Sequence, residues 1–83
     1  MATSPEAELY EFLRNQIAQR TKMAASDIQT DSVLVDLGLQ SIDAVLMCGD
    51  VEDHFGVEMD PAAVFEHKTL DSFAQFILRK MNA

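Results

Sequence analysis

Ser41, Cys48, His54 and His67 are the residues whose types could carry covalent chemistry, and Ser41 sits in the setting that favours it. It follows a short Leu37-Gly38-Leu39 turn and Gln40, and it opens a run from Ile42 to Phe55 with helical periodicity. A hydroxyl so placed stands at the mouth of a loop, beside the free backbone N–H groups of a helix N-terminus. That end of a helix favours an anion, so a phosphodiester built onto Ser41 would lie in a favourable field. A plain helix N-cap is the other use of the same serine. Hydrolysis is not indicated, because the nucleophile elbow Gly-x-Ser-x-Gly has Leu39 and Asp43 at its glycine positions. Nothing in the sequence brings either histidine beside Ser41. His54, after acidic residues on the flank of the second helix, reads as solvated, and His67 as satisfying a loop carbonyl or meeting a partner. Cys48 falls among apolar positions and reads as a small buried residue. One cysteine excludes an internal disulfide framework and a cysteine-based zinc cluster, and two histidines with scattered carboxylates make no metal constellation. No residue is assigned a catalytic role.

The elements that must position Ser41 are marked by caps and periodicity. Ser4 is an N-cap with Pro5 at the first helical position. Glu6, Glu8 and Glu11 crowd the start of this helix, while Arg14, Arg20 and Lys22 lie toward or just beyond its end, an order that suits the helix dipole. Leu9, Phe12, Leu13 and Ile17 form one apolar stripe. From Thr21 to Gln40 the pattern fades into turn and cap formers, and a long structureless loop is expected, pinned across the bundle end by Ile28, Val33, Leu34, Leu37 and Leu39. Its aspartates do not make a calcium loop. Counted from Asp27, an EF-hand would need Gly at Ser32 and Glu at Gly38.

The second helix, about Ser41 to Phe55, carries two apolar stripes where one suffices to join a core. Ala44, Met47, Cys48, Val51 and Phe55 lie on one side, and Ile42, Val45, Leu46 and Gly49 lie nearly opposite. The second stripe begins beside Ser41 and gives way to Glu52 and Asp53. Ile42, Val45, Leu46, Gly49, Glu52 and Asp53 therefore read as a partner-docking surface, apolar with an acidic margin. Gly49 costs a helix about 1 kcal/mol relative to Ala, which a close approach by a partner backbone or by another helix would explain. Gly56 is placed to end the helix. Asp60-Pro61 opens a short helix to about Glu66 with Phe65 as its core anchor. Thr69 caps a last helix in which Leu70, Phe73, Ile77 and Met81 keep helical spacing, widened by Ala74 and Leu78, with Asn82 and Ala83 fraying. The expected fold class is all-α: a small bundle of three main helices plus one short helix, with a long loop between the first two, in a single domain over 1–83.

Eighty-three residues suffice for one small core and not for an enzyme with a deep cleft. Fourteen acidic residues against six basic ones give a formal charge of −8, which argues against nucleic acid and fits partners with basic docking surfaces, or serves solubility alone. No segment approaches the ~18 apolar residues of a membrane span, and the N-terminus lacks the basic start and apolar centre of a signal peptide. A monomer in the cytoplasm, off the membrane, is expected.

The stretch Leu37-Gly38-Leu39-Gln40-Ser41-Ile42-Asp43 resembles the attachment motif of acyl and peptidyl carrier proteins, Leu-Gly-x-Asp-Ser-Leu. The likeness extends over nearly the whole chain, through Asp31-Ser32-Val33-Leu34, Asp36-Leu37-Gly38, Glu52-Asp53-His54-Phe55-Gly56-Val57 and Phe65-Glu66-His67-Lys68-Thr69-Leu70. It implies that a phosphopantetheinyl transferase moves 4′-phosphopantetheine from coenzyme A onto Ser41. It implies too that the thiol of that arm, not Cys48, holds substrates as thioesters for separate loading, elongation and modifying enzymes, and that the fold is a helical bundle. Gln40 stands where the family most often has Asp, which lowers the local charge by one and bears on the choice of transferase. The segment from Asp60-Pro61 to Leu70 looks like carriers of polyketide and nonribosomal peptide pathways. So does Leu46, where fatty acid carriers tend to be acidic. The resemblance thus implies a non-catalytic acyl carrier of polyketide biosynthesis, with a peptidyl carrier as the alternative within the class. The start at Met1 suggests a freestanding carrier, and a domain excised from a megasynthase would read almost identically. A helical interaction module without prosthetic group is the alternative outside it.

Overall fold

The N-cap chemistry at Ser4 sets the first element. In the computed structural model, which describes residues 4–82, the Ser4 Oγ accepts the Ala7 N–H at 3.2 Å and Pro5 opens helix α1, Pro5–Arg20. Leu9, Leu13 and Ile17 are fully buried, as their spacing requires. Tyr10 takes the core position expected of Phe12, which is only half-buried. The Tyr10 hydroxyl makes that possible: it donates to the Asp71 carboxylate and accepts from Gln75 Nε2 at 3.2 Å, so the ring is buried with its polar end satisfied. Burial, then the bond to Asp71, pushes the phenol pKa up.

The stretch from Thr21 to Gln40 is not structureless. It holds two 3₁₀ turns, Ala25–Asp27 and Leu34–Leu37, and is stitched by backbone bonds to the start of the last helix and the residues just before it. Leu34 N donates to Lys68 O at 2.8 Å, Leu70 N to Ser32 O at 3.0 Å and Asp71 N to Thr30 O at 2.8 Å, around an antiparallel bridge of Val33 with Thr69. Ile28, Leu34 and Leu39 bury their side chains and Leu37 packs against the core, as expected. Val33 does not: its side chain is exposed because the bridge fixes it through the backbone. Arg14 Nε donates to Ile28 O at 3.1 Å and ties the first turn of the loop to α1.

Helix α2, Ser41–Phe55, buries Ala44, Met47, Cys48 and Val51, and ends at Gly56, whose φ of 70° and N–H to Glu52 O at 2.9 Å make a left-handed cap. Phe55, expected in the core, is only half-buried. It sits at the last turn of α2 and meets Phe12 edge-on at 5.2 Å, so the two rings seal the rim between α1 and α2. Arg20 of α1 closes the same seam on Asp50 at 2.8 Å.

Asp60-Pro61 opens a turn rather than the helix itself: Asp60 Oδ1 accepts the Ala62 N–H at 2.9 Å, and α3 spans only Ala63–Glu66. Phe65 is not its core anchor. Ala63 and Val64 face inward and Phe65, about 100° further round the single turn, is 48% exposed. Helix α4, Leu70–Met81, follows its pattern closely. Thr69 Oγ1 caps Ser72 N at 3.1 Å, and Leu70, Phe73, Ala74, Ile77 and Leu78 are buried. Asn82 still donates to Leu78 O at 3.0 Å, while Ala83 lies outside the described residues. The fold is the all-α bundle of three main helices and one short one, with no strands among the described residues.

Candidate functional site

The approach to Ser41 is built by three residues with different duties. Gly38 ends the second 3₁₀ turn at φ 92°, a left-handed conformation in which any Cβ is strained. Leu39 then turns inward and is buried, and Gln40, extended at φ −102° and ψ 171°, is the N-cap of α2. Ser41 is thus the first residue of the helix, not its cap. Ala44 N donates to Gln40 O at 3.1 Å and Gln40 N donates to Asp43 Oδ2 at 2.9 Å. The bonds of this turn run through Gln40, Asp43 and Ala44 and leave the Ser41 hydroxyl out, on an exposed residue.

Both histidines find their partners elsewhere. His54 lies thirteen residues along α2, about 20 Å at the helical rise per residue. It is exposed, as expected, and its ring also stacks on Phe12 at 4.6 Å and 19°, meets Phe55 edge-on, and sets Nε2 3.2 Å from Glu8 Oε1. The passage of α1 across the end of α2 creates this contact. His67 finds a hydroxyl rather than a loop carbonyl. Its Nδ1 is 3.0 Å from Ser72 Oγ and its ring lies 4.6 Å from Phe76.

Cys48 is 2% exposed, and its thiol is pushed up to about 11 by burial first and then by the Glu52 and Asp60 charges. At pH 8 only about one molecule in a thousand would carry the thiolate, the reactive form. A disulfide-exchange reagent at pH 8 is therefore expected to find no thiol in the folded, unloaded protein, one after denaturation, and one in the folded protein once an arm is attached. Prompt reaction of the unloaded folded protein would show that Cys48 is not sealed.

The outer side of α2 is apolar and open. Ile42 is 59% exposed, Val45 49% and Leu46 51%, while Met47 next to them is fully buried. A Cβ on Gly49 would meet nothing within 4 Å, so no internal helix contact explains the glycine. Glu52 is half-buried and its Oε2 accepts the Met59 N–H at 2.9 Å, which turns it toward the link between α2 and α3. Asp53 is exposed.

Ser41 thus stands exposed at the start of α2 beside an open apolar flank. Comparison with known proteins gives this setting a family. The family model described as the phosphopantetheine attachment site matches residues 11–77. The chain belongs to that family, whose members carry 4′-phosphopantetheine. Among curated proteins it is 29% identical over 80 residues to a phenolphthiocerol/phthiocerol polyketide synthase of Mycobacterium tuberculosis, a match covering 96% of this chain and 4% of that protein. It is 36% identical over 64 residues to the non-reducing polyketide synthase AC of Didymella fabae, covering 77% of this chain and 2% of that one. The chain thus spans only a few hundredths of the length of these relatives. Among solved structures, a free-standing peptidyl carrier protein of Acinetobacter baumannii superposes with a TM-score of 0.83 at 24% identity, over 92% of this chain and 95% of that one. The HMG-ACPI domain from the CurA module of Lyngbya majuscula gives 0.77 at 22% identity, over 95% and 86%. At these identities the two share the fold.

Proposed function

We propose that Ser41 is the residue that carries 4′-phosphopantetheine, and that the chain is a non-catalytic acyl carrier unit of polyketide biosynthesis, acting in the cytoplasm with separate enzymes. The observation that carries this is the Ser41 hydroxyl: exposed, unbonded within its turn, and at the first position of a fifteen-residue helix inside the matched family region. The residues fit the group. The N–H groups of the first turn of α2 favour the phosphodiester, and the apolar outer face beside it leaves the arm room to move. When attached, the arm supplies a thiol on which acyl groups are held as thioesters. The chain's own residues anchor the arm, hold the turn in shape and present a face to partner enzymes. Polyketide synthases recur among the relatives by sequence, which favours an acyl over a peptidyl cargo. The test is intact mass after incubation with coenzyme A and a broad-specificity transferase. A gain of one phosphopantetheine is expected, and no gain with several transferases would leave an interaction module without prosthetic group.

Ile42, Val45, Leu46 and Gly49 form the docking face, with Asp53 as its exposed acidic margin. Glu52 contributes charge from the side, held by its bond to Met59. Leu46→Arg is expected to leave helical content and melting almost unchanged, yet slow loading of the arm at least about tenfold, because it presses an unpaired charge against the partner. Met47→Arg, buried one residue on, should unfold the domain instead. Unchanged loading in a folded Leu46→Arg protein would move docking to another face.

A further inference from the structure

We infer that Asp43 is a positioning residue for modification of Ser41, acting through the Gln40 N–H rather than through its charge. The inference rests on Ser41 as the attachment residue. Asp43 is half-buried in the first turn of α2 and accepts the Gln40 N–H at 2.9 Å, the reach-back half of a capping box. Gln40 is the residue immediately before Ser41, and it is where the chain changes from extended to helical. Gln is not among the side chains that cap a helix best, which leaves more of the junction to Asp43. On the other side the junction is held by the buried Leu39. Leu39 and the reach-back bond thus flank the peptide that carries the nucleophile.

The transfer itself forms a bond from Ser41 Oγ to a phosphorus of coenzyme A and breaks the phosphoanhydride bond. Adenosine bisphosphate leaves with the bonding pair, and a base of the transferase takes the serine proton. The product places a negative phosphodiester at the same helix end as the Asp43 carboxylate. Charge at Asp43 therefore opposes the product while its acceptor oxygen supports the geometry. The two contributions are separable by substitution.

Asp43→Ala removes both, Asp43→Asn keeps an acceptor without charge, and Asp43→Glu keeps both. Ala is a strong helix former at an early helical position, so all three variants should remain folded, which a melting scan checks. With a broad-specificity transferase and coenzyme A, Asp43→Ala is expected to raise the KM for the carrier about five- to tenfold with kcat within about twofold, because only the fraction with a closed first turn is competent to bind. Asp43→Asn and Asp43→Glu should stay within about twofold of the parent in both. Hydrogen exchange of the Gln40 amide, read by NMR on the unloaded protein, should quicken in Asp43→Ala alone. If Asp43→Asn falls with Asp43→Ala, the carboxylate is a charge contact for the transferase and the inference is overturned. It is overturned as well if Asp43→Ala matches the parent in KM or in Gln40 exchange. Failure of the parent to load at all would instead remove the reading of Ser41.

Discussion

Ser41→Ala is expected to abolish the gain of phosphopantetheine completely while leaving the fold intact. The hydroxyl is the only group the substitution removes, and within the turn it makes no bond whose loss would be felt. The first helical position is exposed, and Ala has the best helix propensity of any residue. The change in stability should therefore fall within about 0.5 kcal/mol, as for surface sites away from special features. Intact mass after incubation with coenzyme A and transferase reads the loss, and circular dichroism with a melting scan reads the retained fold. A mass gain in Ser41→Ala equal to the parent's would place attachment at another hydroxyl. A lost gain with a collapsed melting transition would show that the serine had a structural duty the geometry does not reveal.

Phe73→Ala should have the largest effect on stability of any single truncation. Phe73 is fully buried on α4 and is the largest of the fully buried side chains. Removing its ring leaves a cavity that the three packed helices cannot close, at about 3–5 kcal/mol. A domain of this size has about 4–12 kcal/mol in all. The variant should melt at least about 12 °C below the parent, or be unfolded at room temperature. Phe55→Ala is the control. Half-buried at the rim against Phe12, it should lower stability by about 1–2 kcal/mol. Equal losses at the two positions would mean that the rim between α1 and α2 is as tightly packed as the centre. Chemical denaturation with an unchanged m-value would confirm that both act on the folded state.

The elements whose capping and periodicity are local were legible from the sequence. Ser4-Pro5, Gly56 and Thr69 each act through bonds to residues within four positions, and each does in the structure what its type and place require. The two-striped character of α2 was equally legible, because 100° per residue fixes which side chains share a side. What the sequence does not contain is the identity of the neighbour. Phe65 looks like an anchor because it is the largest side chain of its segment, but the turn set by Asp60 rotates Ala63 and Val64 inward instead. Tyr10 lies outside the stripe of Leu9, Phe12, Leu13 and Ile17, and α4 brings Asp71 and Gln75 to its hydroxyl. Met59 reads as part of a link, and the core takes it in.

The site divides along the same line. That Ser41 follows a Leu-Gly-Leu turn, opens a helix and lies beside a second apolar stripe follows from residue type and helical geometry alone. Folding adds that Gln40 rather than Ser41 is the cap, that Glu52 turns toward Met59, and that His54 meets Glu8 and Phe12 far down the helix. Each of these depends on a partner supplied by chain folding, and side-chain hydrogen bonds and ring contacts are formed by whatever the packing of the helices brings within reach.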